Sequence, residues 1–284
     1  MTYPVIFIHY GNQEWFQYPL LQTKACNSDV IVIGDQENNR YPFVKHYNFD
    51  DYYDSAAEFK KVFKHLSKRE FKYESFCFER WFILESFMRK HNLQQCFYQD
   101  SDNMLYMNAG DFNKEHYFDV QFACFIGTGH MMFINSLSIL QKICKFILHY
   151  YSDASLFKDL QEKNKELQKR NQAGVSDMDL LEYFTLQHKS LYKDLQLNTS
   201  GSLFCANLKI PQGCETINQL KKVYYIQNEL YFKQEKTGEF LKCNNLQFQG
   251  SLKNYIPYFY SRSLKNVKSD SYFDYSLLKW VPSK

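Results

Sequence analysis

Apolar residues in the first third of the chain fall into short blocks rather than long runs. Val5-Ile6-Phe7-Ile8-His9 is one block and stops at Tyr10-Gly11-Asn12. Val30-Ile31-Val32-Ile33 is a second and stops at Gly34-Asp35. Uninterrupted apolar blocks of this length predict strands buried on both faces. Trp15 to Cys26 lies between them with helical length and spacing. The start therefore reads as strand, helix, strand, with the two strands parallel. His46 to Phe49 predicts a short third strand. Asp50-Asp51-Tyr52-Tyr53-Asp54 then caps a helix from about Ser55 to Leu66, because acids suit a helix N-terminus. A stronger helix is predicted over Ser75 to His91, where Phe78, Trp81, Phe82, Leu84 and Phe87 give a broad apolar face.

Further along, Asp111 to Tyr117 is polar and reads as a loop, and Phe118 to Ile126 as a strand. Gly127-Thr128-Gly129-His130 precedes the apolar run Met131 to Ile134, and a helix begins around Ser136. Leu156 to Gln172 is a charged helix with a sparse apolar face. Ser176 is a good N-cap for the next helix, with Asp177 and Asp179 in its first turn. Asn198 to Cys214 is irregular. Lys222 to Ile226 and Glu229 to Phe232 flank Gln227-Asn228 and predict a hairpin.

The chemistry concentrates where Cys96-Phe97-Tyr98-Gln99 ends in Asp100-Ser101-Asp102. In a strand, residues i and i+2 point to one side, so both carboxylates can face one hard cation. A strand end in an α/β domain is where ligands normally bind. The pair reads as the holder of a divalent metal bridging the diphosphate of a sugar nucleotide, against the alternative of a solvated acidic turn. Tyr10, Gly11 and Asn12 are candidate base or ribose contacts, or an ordinary turn. Arg80 is placed to reach a diphosphate or to orient Asp100, or is a surface arginine. Gly127 and Gly129 permit close approach of backbone to ligand, yet no P-loop Lys-Ser/Thr follows. His130 is a substrate contact or a structural histidine. Asp177 or Asp179 is a cap, or a base for an acceptor hydroxyl. Gly250 and Lys253 could bring backbone and ammonium to a leaving phosphate. The Tyr-, Phe-, Lys- and Arg-rich tail from Tyr255 either docks on an anionic membrane face or packs across the domain.

Composition narrows the class. The chain has 284 residues, 45% apolar and 23% charged, as a soluble globular protein does. A net charge of only +3 gives no field that argues for nucleic acid. Eight cysteines form no Cys-x-x-Cys pair, which fits buried reduced thiols and a cytoplasmic setting. Met1-Thr2-Tyr3-Pro4 lacks the basic and long apolar regions of a signal peptide. No apolar run approaches the roughly 20 residues that span a bilayer.

Four segments taken in order resemble the GT-A nucleotide-sugar glycosyltransferases, especially bacterial-type members ending in Phe-Gln-Gly-x-x-Lys. They are Phe7-Ile8-His9-Tyr10-Gly11, Phe97-Tyr98-Gln99-Asp100-Ser101-Asp102, Ser176-Asp177-Met178 and Phe248-Gln249-Gly250-Ser251-Leu252-Lys253. The resemblance implies an α/β fold: a Rossmann-type mixed sheet flanked by helices, in one domain over 1–284 with a C-terminal extension. Residues 1–126 would form the nucleotide-sugar half and 127–284 the acceptor half. It implies Mn²⁺ or Mg²⁺ on Asp100 and Asp102, and a UDP-sugar or other nucleotide-sugar donor. Donor contacts would come from His9, Tyr10, Gly11, Asn12, Arg80, Gln99, Asp100, Ser101, Gly129, Gln249, Gly250 and Lys253. Lys253 would stabilise the departing diphosphate, and Asp177 or Asp179 would serve an inverting reaction as base. Related C-terminal motifs often carry a metal-binding His two residues before the Phe-Gln-Gly glutamine. Here that slot holds Gln247, a poorer ligand. The implied activity is hexosyl transfer to a glycan or lipid-linked saccharide, in cell-surface polysaccharide synthesis, with no nucleic-acid partner and a candidate peripheral contact at the inner face of a membrane. A nucleotidyltransferase would show a Gly-rich basic loop, whereas Tyr10 to Tyr18 holds one Gly and no Lys or Arg. A non-catalytic binding or scaffold protein of the same fold is the remaining alternative.

Overall fold

The computed structural model describes residues 3–196 and 201–283. Met1, Thr2 and Asn198, which entered the reading above, lie outside them. The expected strand, helix, strand unit is formed by β1 (Val5–His9), α1 (Gln17–Cys26) and β2 (Val30–Gly34). β1 and β2 run parallel, with Val5 opposite Val30 and His9 opposite Gly34. β3 (Lys45–Asn48) extends the parallel set, followed by α2 (Asp54–Val62) and α3 (Phe71–Lys90). α3 starts a turn earlier than its apolar spacing indicates. β4 (Cys96–Gln99) lies on the other side of β1, also parallel.

β5 (Asn103–Leu105) follows a tight turn. The stretch expected to be a loop is instead α4 (Ala109–His116), capped by Asn108, whose Oδ1 accepts from the Asp111 N–H at 3.0 Å. Its polar composition hides a helix that buries little beyond Ala109, Phe112 and Asn113. β6 (Phe122–Cys124) is shorter than the expected strand, and Met131 to Ile134 forms β7. α5 (Leu137–Ser152), α6 (Ala154–Lys169), α7 (Asp177–Gln187) and β8 (Tyr192–Asp194) complete this part. Seven strands lie in the order β3-β2-β1-β4-β7-β6-β8. β7 is antiparallel to both of its neighbours. This is the mixed sheet, flanked by helices, that the sequence leads one to expect.

Successive strand residues face opposite sides. Ile6, Ile8, Ile31 and Ile33 pack with Phe78, Phe82, Leu140 and Leu180 on the helices of one face. Val5, Phe7, Val30 and Val32 pack with Leu20 and Phe112 on the other. Burial on both faces explains why β1 and β2 show no alternation in sequence.

The C-terminal part builds a second sheet. The strands of this part are β9 (Ser202–Leu203), β10 (Thr216–Ile217), β11 (Leu220–Lys221), β12 (Val223–Ile226), β13 (Glu229–Lys233), β14 (Phe240–Cys243), β15 (Asn245–Gln247), β16 (Ser271–Asp274) and β17 (Lys279–Pro282), of which β10 and β11 pair only with each other. Six of them lie in the order β17-β16-β12-β13-β14-β9. β12 and β13 are the expected hairpin. Gln227 and Asn228 have φ of 49° and 69°, the left-handed pair that a two-residue turn needs. The rest of this sheet was not expected. In the tail, Phe259, Phe273 and Tyr275 are buried in the core under this sheet, so these rings pack across the domain. No helix among the described residues is long and apolar enough to cross a membrane.

One small pairing positions the site. β15 runs antiparallel to β5, with Gln247 opposite Asn103 and Asn245 opposite Leu105. The C-terminal segment is thereby stitched to the strand that leaves the acidic turn.

Candidate active site at the tips of β1 and β4

Asp100, Ser101 and Asp102 form the turn between β4 and β5 and do not belong to a strand; Asn103 N–H donates to Asp100 O at 3.2 Å. The alternation argument therefore does not apply to them. They share a cleft because the turn closes on itself. Both acids line a cavity of about 230 Å³ together with His9, Tyr10, Arg80 and Lys253.

Buried amides brace the turn from behind. Gln99 Nε2 donates to Thr23 Oγ1 at 3.1 Å, and Asn103 Nδ2 donates to Gln99 Oε1 at 2.7 Å. Asn245 Nδ2 donates to Asn103 Oδ1 at 2.6 Å, and its own Oδ1 accepts from Cys205 N–H at 2.8 Å. Gln99, Asn103 and Asn245 are fully buried. Buried amides left without partners would be costly, so this ladder fixes one geometry for the turn. Gln99, expected to touch the donor, is a rung of the ladder and does not line the cleft.

Asp100 is held from the α3 side. Its Oδ1 accepts from Arg80 Nη1 at 2.6 Å and from the Tyr98 hydroxyl at 2.8 Å. Arg80 Nη2 reaches back to Asp177 Oδ2 at 2.8 Å, and Trp81 Nε1 donates to the same oxygen at 3.0 Å. Asp177 is only 2% exposed. Asp177 does not line the cavity; it lies against Arg80 and Trp81, placed as an anchor for Arg80 rather than beside an acceptor hydroxyl. Asp179 is equally remote. It closes a capping box with Ser176, and Lys163 Nζ lies 3.0 Å from its Oδ1. Gly129 does not line the cleft either. A Cβ there would sit 2.6 Å from Trp81 Cζ2 and 3.1 Å from Arg80 Nη2, so the glycine makes room for this ion pair.

Asp102 is held from the C-terminal side. Gln247 Nε2 donates to its Oδ1 at 2.9 Å, and Lys253 Nζ lies 3.2 Å from its Oδ2. Phe248 N–H donates to its backbone carbonyl at 2.9 Å. Lys253 also sits over the Trp15 ring at 5.0 Å. Burial, and then the charge of Asp100, push the Asp102 pKa up; Lys253 and Gln247 oppose that rise. Gln249 and Gly250 flank this arm without lining the cavity. Gln249 Oε1 accepts from Asn207 Nδ2 at 2.5 Å, and Gly250 opens the helical stretch that carries Lys253.

At the end of β1, His9 Nδ1 lies 2.7 Å from Ser101 Oγ. Burial lowers the His9 pKa to about 4, so the ring is neutral near pH 7, and its Nε2 is buried without a partner. Tyr10 is 42% exposed, with Lys72 over its ring at 4.7 Å and Phe76 beside it at 5.6 Å. Gly11 and Asn12 do not line the cavity. Gly11 N–H donates to Asp35 Oδ2 at 2.7 Å, and Asn12 accepts from Arg40. At φ 97° Gly11 has a backbone that other residues avoid. The sequence reading missed Gln13, Trp15, Tyr73, Phe76 and Cys77, which also line the cleft. Tyr73, Phe76, Cys77 and Arg80 follow helical spacing, a signal present in the sequence.

A divalent cation is tested by the donors on offer. Both bonds to Asp100 fall on Oδ1, which leaves Oδ2. Asp102 adds its carboxylate, and Gln247 Oε1 is buried with no hydrogen-bond partner. All are hard oxygen donors. Among the described residues no group of three or more His, Cys, Asp and Glu is arranged to hold an ion. A cation held here would rest on one or two carboxylates and complete its shell with water and substrate phosphate, as Mg²⁺ does.

No protein-family model matches the chain, and no curated protein matches it. Among solved structures it is similar to mouse xyloside xylosyltransferase 1, at 11% identity over 68% of this chain and 84% of that one, with a TM-score of 0.46. It is similar to a glycosyltransferase involved in glycosylation of the major capsid of PBCV-1, at 10% identity over 72% and 85%, TM-score 0.37. It is also similar to the galactosyltransferase LgtC, at 12% identity over 67% and 72%, TM-score 0.32. Likenesses at this level assign no chemistry to the chain, which has to come from its own side chains.

Proposed function

We propose that the chain is a glycosyltransferase that moves a sugar from a nucleotide-diphosphate donor to a hydroxyl of a glycan or lipid-linked saccharide. One observation carries the reading. The Asp100–Asp102 turn opens into a cleft at the ends of β1 and β4, and the C-terminal segment brings Gln247 and Lys253 onto Asp102. A charged diphosphate beside two carboxylates needs counter-cations. Lys253 and Arg80 supply two, and Mn²⁺ or Mg²⁺ on Asp100, Asp102 and Gln247 would supply a third, neutralising charge on the leaving group. Tyr10, with Lys72 and Phe76 behind it, offers an aromatic platform for the nucleobase, and His9 and Ser101 offer neutral hydrogen-bonding groups beside the phosphates. Residues 1–126 supply most of this donor wall, and the remainder supplies the closing arm.

The acid placement favours a transfer without a dedicated protein base. Asp177 is sealed beneath Arg80, Asp179 caps α7, and the two acids in the cleft are occupied by Arg80 and Lys253. Transfer with retention of anomeric configuration fits that arrangement. All eight cysteines are free thiols, which fits a reducing, cytoplasmic compartment.

The same two ion pairs support a second reading, a non-catalytic module that binds the donor without turnover. Hydrolysis of a panel of sugar nucleotides with Mn²⁺ or Mg²⁺ separates the readings, with Asp102→Ala as control. Turnover lost in the control establishes the enzyme. Tight donor binding with no hydrolysis or transfer establishes the module.

A further inference from the structure

We propose that the segment from Lys60 to Tyr73, at the lip of the cleft, docks the protein on an anionic lipid surface. This stretch contains Lys60, Lys61, Lys64, Lys68, Arg69 and Lys72 against one acid, Glu70. Part of the charge is answered internally. Lys61 pairs with Glu58, Arg69 with Glu74, and Lys60 lies 3.8 Å from Glu79. Lys64, Lys68 and Lys72 are exposed and, among the described residues, make no ion pair with a carboxylate. Lys64 and Lys72 rest instead over the rings of Phe157 and Tyr10.

Two large rings stand among these cations, with Phe71 51% and Tyr73 55% exposed. Phe71 is propped outward on Phe63 and His65, with ring centroids at 5.7 and 5.6 Å. The segment is held to the body of the protein, since Lys68 N–H donates to Ala173 O at 2.6 Å and Ser67 bridges to Gly174. A fixed basic surface with protruding aromatic rings suits a lipid interface. Lysines are drawn to the negative headgroups and the rings seat at the acyl boundary. A soluble polyanion would use the lysines and leave the rings in water. Position adds to the argument. Tyr73 lines the cleft, and Phe71, Lys72 and Lys60 line the adjoining cavity of about 330 Å³, which shares Tyr10 and Phe76 with it. Docking through this lip sets the cleft mouth against the membrane, where a lipid-linked acceptor is found; that last clause rests on the transferase reading, whereas the docking itself does not.

The test is co-sedimentation of the full chain with vesicles of phosphatidylcholine alone or mixed equally with phosphatidylglycerol, without metal or donor. The expected result is binding only to the mixed vesicles. The double variant Lys64→Ala/Lys68→Ala should weaken it more than tenfold, at about fivefold per lysine near the surface. Phe71→Ser should weaken vesicle binding severalfold and leave retention on heparin unchanged. Equal binding to both vesicle types, or mixed-vesicle binding indifferent to the lysine pair, overturns the proposal. So does a Phe71→Ser protein that binds mixed vesicles as the parent does, since that marks a polyanion site. Unchanged melting temperatures for these exposed variants confirm that the readout is not unfolding.

Discussion

The two aspartates of the turn sit two residues apart and are held in opposite ways. Asp100 is tied to α3 through Arg80, which is itself pinned by buried Asp177 and backed by Trp81. Asp102 is tied to a distant part of the chain, through the buried Gln247 amide and through Lys253, which lines the cleft. The first arm is sealed and over-determined. The second is partly open, with an orphaned Gln247 oxygen and an acid whose pKa is already raised by burial and by its neighbour. The difference teaches a division of labour. In the proposed reading, Asp100 and Arg80 set the shape of the site, while Asp102, Gln247 and Lys253 would exchange partners when a ligand arrives.

The sharpest contrast lies in stability. Asp177→Ala leaves Arg80 Nη2 and Trp81 Nε1 buried without their acceptor and should cost about 3–5 kcal/mol, lowering the Tm by on the order of 10 °C. Differential scanning calorimetry checks it. A Tm within a degree or two of the parent would show that the sealed arm is not sealed. The amide ladder couples the arms, so Asn103→Ala and Asn245→Ala should each cost about 1–3 kcal/mol in urea unfolding, with the double variant costing clearly less than their sum. Strict additivity would mean that the two amides do not act together. On the open arm, Lys253→Met should weaken donor binding about tenfold, roughly 1.4 kcal/mol, with little change in Tm, because the lysine is partly solvated. Calorimetric titration reads the affinity.

Much of this contrast could be read from the residues, but unevenly. β1, β2 and the acid pair stand out because a strand buried on both faces is an unbroken apolar block, and a block that ends in two carboxylates has few local explanations. Arg80 orienting Asp100 was one of the readings open to the sequence. The opposite is true of Asp177, whose N-cap context describes its backbone faithfully and says nothing of the guanidinium above it. Gln99 and Asn103 look like ordinary polar neighbours of the acids until Asn245 arrives from 142 residues away along the chain. The second sheet was largely hidden, since its strands are short and two of its pairings, β12 with β16 and β14 with β9, join segments distant along the chain. α4 was missed because it is short and mostly polar, with only Ala109, Phe112 and Asn113 buried.

The smallest expected effect is one of pH. Burial holds His9 at a pKa of about 4 and His130 at about 3, both below the unfolded value of 6.5. In the unfolded chain these rings take up protons that the folded protein refuses. Their contribution is therefore complete above pH 6.5 and is lost as pH falls towards the folded values. Between pH 6.5 and 5.5 the loss should be about 1 kcal/mol per ring. Urea titrations across that interval check it, and His130→Phe should flatten the slope. A stability that rises on acidification through this range would contradict the neutral, buried assignment.

The central proposal is that Asp102 holds a cation that in turn holds a diphosphate, and that it does little for the fold. Calorimetric titration of UDP into the parent chain and into Asp102→Asn, each with and without Mn²⁺, tests it directly when paired with the Tm of both proteins. The account predicts metal-dependent UDP binding in the parent, its loss in the variant, and a variant Tm equal to or slightly above that of the parent. UDP binding that persists unchanged in Asp102→Asn, or a variant that loses binding only because it has unfolded, would contradict it.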